Sequence, residues 1–166
     1  MAKGPLRETV DLSGHPDLVV IYLGMRVNEL RGIRAVLRLG PQIDKAVAAG
    51  PPGLLRHERL FMGLRHVGMR QYWHDFASLE AWTRTLPHQA WWRDFLRDPA
   101  GTGFWHEVYT REGAMEAVYI DMPPTGLGAI MPRLPARGSL FSARRRLARE
   151  GEVPQPVVAE TDLPVA

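Results

Sequence analysis

The sequence predicts a single α+β domain of the ferredoxin-like type, an antiparallel sheet with helices on one face. Two observations carry that expectation. Strand-like and helix-like periodicities alternate as β-α-β-β-α-β between Leu18 and Met122, with Gly- and Pro-rich turns between them. The chain has 166 residues, 45% of them apolar, which is enough to bury one sizeable core but hardly two. The expected organisation is an N-terminal arm at 1–17, the α+β domain at 18–122, and a Pro-rich C-terminal arm and tail at 123–166.

Leu18 to Val27 is rich in β-branched and aromatic residues and follows the turn formers Gly14, His15, Pro16 and Asp17, which marks the first strand. Ile33, Val36, Leu37, Ile43 and Val47 then recur at helical spacing until Gly50-Pro51-Pro52-Gly53 stops them. Pro41 is expected to kink or divide this helix, because its ring removes one helical hydrogen bond. Leu54 to Val67 and Gly68 to His74 read as the second and third strands, with Gly63 and Gly68 at turn or bulge positions. Asp75 or Ser78 can cap a second helix carrying Leu79, Trp82 and Leu86. Pro87 interrupts it and is well placed to start a new short helix, so His88 falls at a helix break. Gly103 to Thr110 reads as the fourth strand, and Met115 to Met122 as a further hairpin partner.

Helices on one side leave the other face of the sheet needing a cover. Phe61, His66, Met69, Tyr72, Phe104 and His106 put apolar surface on both faces, and a second copy of the chain buries it most economically, so a homodimer is expected. Prolines at 123, 124, 132, 135, 154, 156 and 164 are expected to prevent the C-terminal segment from continuing the sheet. Within it Leu127, Ile130, Met131 and Leu134 are apolar anchors expected to be buried, and a short helix is expected near Leu140 to Glu150.

Composition narrows the chemistry. No apolar run approaches the roughly 20 residues of a membrane span, and the first residues lack a secretory apolar stretch, so the expectation is a cytoplasmic protein without a membrane partner. The net charge is +3, but the basic residues are dispersed apart from Arg144-Arg145-Arg146, which argues against a nucleic-acid partner. The absence of cysteine excludes disulfides, thiolate nucleophiles and cysteine-ligated haem or iron–sulfur clusters. There is no Gly-rich nucleotide fingerprint, phosphate loop, paired zinc histidines or nucleophile elbow.

Of the six histidines, two stand out by their surroundings. His88 lies beside Trp91 and Trp92, and His106 lies in Phe104-Trp105-His106-Glu107. Neutral imidazole among aromatic rings suits haem iron, which needs apolar walls and an axial nitrogen. Hydrogen-bonded histidines in an aromatic core have the same surroundings, so the pattern leaves both readings open.

Tyr72-Trp73, Leu79-Glu80-Ala81-Trp82, His88-Gln89-Ala90-Trp91-Trp92, Trp105-His106-Glu107-Val108-Tyr109 and Met122-Pro123-Pro124-Thr125-Gly126-Leu127 together resemble an uncharacterised monooxygenase-like family of the dimeric α+β barrel group. The stretch is similar, more loosely, to the C-terminal half of haem aldoxime dehydratases. That resemblance implies that His88 is the iron-binding histidine and His106 the distal histidine of proton transfer. It implies haem as cofactor, with Trp91, Trp92, Trp105 and Arg70 around it; Arg26, Arg34 and Arg38 are further candidates to meet the propionates. The dehydratases hold two ferredoxin-like halves in one chain, so a homodimer would stand in for the second half. No position here is matched to their substrate-facing Ser and Arg.

Three functional readings follow. The first is a haem enzyme acting on a small organic substrate, by N–O dehydration or by oxidation. The second is a cofactor-free monooxygenase with His106, His74, Trp73 and Tyr109 as pocket residues. The third is a small-molecule or haem-binding protein without catalysis.

Overall fold

The computed structural model describes residues 5–111, 119–120, 124, 126–141 and 143–146. These fall into two compact units, one within residues 17–111 and one drawn from 1–16 and 112–166.

The larger unit is the predicted ferredoxin-like α+β arrangement. Its elements are β2 (Val19–Val27), α1 (Leu30–Ala48), β3 (Leu54–Gly63), β4 (His66–Trp73), α2 (Phe76–Thr83), α3 (His88–Arg97) and β5 (Thr102–Thr110). The four strands form one antiparallel sheet in the order β3-β4-β2-β5. The second and third strands meet at a turn after Gly63, whose φ of 144° is in a region that favours glycine.

Register and alternation sort the side chains onto two faces. Leu23 lies opposite both Met69 and His106, and Met25 lies opposite Phe104, so these share a face with Val19, Ile21, Gln71 and Trp73. The reverse face carries Tyr22, Gly24 and Arg26 with His66, Arg70, Tyr72, Trp105, Glu107 and Tyr109. The helices cover the first of these. Val19, Ile21, Trp73 and Leu79 are its buried core, with Leu23, Leu54 and Trp82 packed against them. Trp73 is fully buried, and its Nε1–H donates to Gln71 Oε1 at 3.2 Å. Gln71 in turn donates from Nε2 to His57 Nδ1 at 3.1 Å. Three polar groups under the helices are thus linked in a chain, which ends at His57 Nε2, a buried atom with no partner among the described residues.

Local signals explain the helix boundaries. Of the two possible caps for α2, Asp75 is the one used: its carboxylate accepts from the Ser78 backbone N–H at 2.6 Å and from the His74 side chain at 3.0 Å. The His74 bond and then the Ser78 bond pull the Asp75 pKa down to about 2. Pro41 does not divide α1, which runs unbroken from Leu30 to Ala48. Leu37, whose carbonyl loses its helical donor to the proline, is exposed and can be hydrated. Gln42 donates from its side chain to the Arg38 carbonyl at 3.2 Å. Gly32 lets the start of α1 approach the backbone before β5. A Cβ there would lie 2.6 Å from the Gly101 carbonyl oxygen, which accepts from the backbone N–H groups of both Asn28 and Glu29.

The smaller unit holds a second antiparallel sheet in the order β6-β1-β7, made of β1 (Arg7–Val10), β6 (Tyr119–Ile120) and β7 (Arg133–Pro135). Arg133–Pro135 therefore pairs as a strand, in a sheet separate from the four-stranded one. Its prolines permit this because the strand is short and lies at a sheet edge. Of the expected hairpin partner at 115–122, Tyr119 and Ile120 pair with β1 instead, and the remainder lies outside the described residues. Of the four expected anchors Met131 is buried, together with Leu12, Ala136 and Phe141, whereas Leu127, Ile130 and Leu134 are only half-buried. A short helix, α4 (Ala143–Arg146), falls within the span where one was expected.

Candidate active site

Pro87 sits at the N-cap of α3 and makes His88 its first helical residue, which aims the imidazole back toward the end of α2. His88 Nδ1 lies 3.1 Å from the Thr83 carbonyl oxygen. A carbonyl only accepts, so Nδ1 carries the proton and donates. Burial lowers the pKa of His88, with the Thr83 carbonyl acting against it, so the ring is held neutral. A neutral imidazole protonated at Nδ1 presents a bare lone pair at Nε2. The ring packs between Trp82 at 4.8 Å and Trp91 at 6.3 Å, and Trp82 in turn meets Trp73 in the core at 5.5 Å.

His106 reaches the same helix by another route. Its ring meets Phe104 edge-on at 5.8 Å, and Phe104 packs against Trp92 at 5.4 Å and Phe95 at 5.8 Å, both on α3. Trp92 stacks on Phe95 with an interplanar angle of 12°. His106 itself is exposed. Trp91 is held by α1, donating from Nε1 to Gln42 Oε1 at 3.0 Å. His88, Trp91, Trp92 and His106 thus all belong to the helix-covered side of the sheet.

Arg70 and Trp105 do not join them. Both project from the reverse face, where Arg70 donates to Glu58 from Nε at 2.9 Å and Nη2 at 2.7 Å. Trp105 donates from Nε1 to His66 Nε2 at 2.8 Å in space left by Gly24. The pocket residues of the cofactor-free reading are also spread out. Trp73 is in the core, His74 is exposed beside Asp75, and Tyr109 is on the reverse face bonded to Glu107.

Residues 18–127 match the family described as Monooxygenase af470-like. The chain belongs to that family. No curated protein matches it. Among solved structures, it is similar to the aldoxime dehydratase OxdRE in complex with butyraldoxime, with 23% identity and a TM-score of 0.64 over 88% of this chain and 44% of that one. A second aldoxime dehydratase gives 22% identity and a TM-score of 0.64, over 86% and 43%. A cofactor-independent oxygenase from Streptomyces nogalater gives 16% identity and a TM-score of 0.44, over 58% and 94%. The chain spans less than half the length of either dehydratase, and at these identities the likeness is one of fold.

The donor set of this monooxygenase-like chain fits a haem. Among the described residues no group of three or more His, Asp or Glu is placed to hold a metal ion. An axial position asks for one nitrogen, and His88, with its tautomer fixed by a backbone carbonyl, is a side chain that could supply it. Trp82 and Trp91 are the aromatic rings packed on it. Sequence reasoning missed the two groups that orient His88. Trp82 was legible as a helix-periodic aromatic, but the Thr83 carbonyl carries no side-chain signal. Gln42, which ties Trp91 to α1, was likewise missed.

Proposed function

We propose that the protein is a haem-binding enzyme in which His88 ligates the iron and His106 is the acid–base group. The observation that carries this reading is the His88 imidazole, neutral, anchored at Nδ1 and bare at Nε2 among aromatic rings. His88 would hold the haem, with Trp91 and Trp92 beside it, and the group would supply a Lewis-acidic and redox-capable metal. His106 then does the proton work. An imidazole both donates and accepts a proton, which suits that role. With an aldoxime, dehydration removes the carbon-bound hydrogen and the hydroxyl to leave a nitrile and water. Protonating the hydroxyl as the N–O bond breaks is the role assigned to His106, and the reaction is redox-neutral.

The test is a screen of the haem-supplied protein with aldoximes under reducing conditions without oxygen. Nitrile formation is expected, and His106→Ala should lose about 10²–10⁴-fold in turnover, the usual worth of a positioned acid–base group, while keeping its haem. Turnover untouched by His106→Ala would remove the assigned role, and haem binding without any turnover would favour a non-catalytic binder.

The family's description as monooxygenases favours a second reading, cofactor-free oxidation of an electron-rich substrate by dioxygen on the same helix-covered side. Oxygen-dependent turnover by colourless, haem-free protein would establish it in place of the first.

We also propose that the working form is a homodimer. Phe61, Leu64, Leu30 and Leu37 are largely exposed in the single chain, and a second copy is an economical way to cover such side chains. Light scattering should report twice the chain mass of 18.7 kDa, and a stable monomer would contradict it.

A further inference from the structure

The cavity between α1 and α3 carries an imbalance of charge that the His88 reading does not use. It measures about 310 Å³, and its apolar lining includes Met25, Leu39, Trp91 and Phe95. Arg31, Arg34 and Arg38 line it from α1, at spacings of three and four that put all three on one helix face. Arg31 is neutralised: it donates to Glu29 at 2.8 Å and lies 3.6 Å from Asp98. Arg34 and Arg38 are not. Among the described residues neither guanidinium has a hydrogen-bonded or ion-paired partner; the Gln42 side chain meets the backbone carbonyl of Arg38, not its guanidinium.

The two acids that also line the cavity, Asp94 on α3 and Asp98 just after it, are paired elsewhere, Asp94 with Arg93 at 3.3 Å and Asp98 with Arg31. Asp44, the acid further along α1, is paired with Arg59. Two like charges four residues apart on a helix repel each other, and an anion between them converts that repulsion into attraction. The planar guanidinium fork suits a carboxylate in particular, because two parallel N–H groups meet its two oxygens.

We infer that this cavity binds a carboxylate on an apolar or aromatic body, the carboxylate meeting Arg34 and Arg38 and the body lying against Trp91 and Phe95. The carboxylate comes either from a free organic acid or from a porphyrin propionate, and the inference does not require His88 to bind iron.

The experiment uses the full chain and calorimetric titration with naphthylacetate and its methyl ester, beside haem and haem dimethyl ester. The variants are Arg34→Gln with Arg38→Gln, and Arg31→Gln as a control; the arginines are exposed and glutamine is a good helix former, so the fold should persist by circular dichroism. Wild type should bind at least one acid roughly tenfold more tightly than its ester, a preference the double variant loses and the control keeps. Preference confined to haem identifies the propionate as the source, and preference for naphthylacetate alone identifies a free acid. Equal affinity for acid and ester in both pairs, no binding of any of the four, or a preference that survives in the double variant overturns the inference. Haem and its dimethyl ester bound equally, with naphthylacetate showing no preference over its ester either, would do so while leaving the His88 reading intact.

Discussion

Replacing Trp73 with alanine is expected to destabilise the protein by about 3–5 kcal/mol, the range for removing a large buried aromatic side chain. Trp73 is fully buried among Val19, Ile21 and Leu79, and no other aromatic lies deeper under the helices among the described residues. Its loss opens a cavity and also strips Gln71 Oε1 of the indole donor. A typical domain has only about 5–15 kcal/mol of stability in all, so the variant should be partly unfolded at physiological temperature. Trp73→Phe separates the two contributions: it keeps most of the packing and loses the hydrogen bond, and should cost about 1–3 kcal/mol. Urea denaturation followed by circular dichroism checks both. A Trp73→Ala midpoint close to wild type would mean that the core is centred elsewhere.

The same side chain links stability to the site. Trp73 supports Trp82, and Trp82 packs on the His88 ring. Even a folded Trp73 variant is therefore expected to hold His88 less firmly.

Much of this fold was legible because its signals are local. The β-branched run at Val19–Val27, the Asp75 cap and the break at Pro87 each depend on residues within one turn of chain. What escaped depends on partners far away in sequence. Nothing near Arg7–Val10 or Arg133–Pro135 announces that they pair with each other, and the prolines around β7 point the other way.

The candidate site divides similarly. His88 and His106 were singled out by the aromatic residues beside them, and the structure places both on the helix-covered side. Grouping Trp105 with His106 overlooked a signal that was present, since neighbouring residues on a strand point to opposite faces. The separation of Arg70 follows from the same alternation once it is paired with Tyr22 across β2 and β4. Its engagement by Glu58 could not be read beforehand, because strand register was unknown.

Removing the imidazole proposed as the iron ligand is the second change expected to have a large effect. On that proposal His88→Ala should weaken haem binding by more than the ~10–100-fold typical of losing an outer-shell partner, because a ligand is lost rather than its support. His88→Gly supplied with free imidazole should regain the wild-type spectrum, since the cavity left by the side chain can admit the same donor. The pH dependence has a definite sign. Ligation needs the neutral ring, and burial sets the His88 pKa below its ordinary value of about 6.5. Haem affinity should therefore be flat above that value and fall only as acidification passes the depressed pKa. Folding stability follows the same direction, since the unfolded chain takes up the proton first as pH drops.

The most direct measurement is the absorption spectrum of wild type and His88→Ala during titration with haem at neutral pH. A saturable, shifted Soret band with wild type, absent from His88→Ala and restored in His88→Gly by imidazole, is the expected result. No shift with wild type, or the same shift in His88→Ala, would contradict axial ligation by His88.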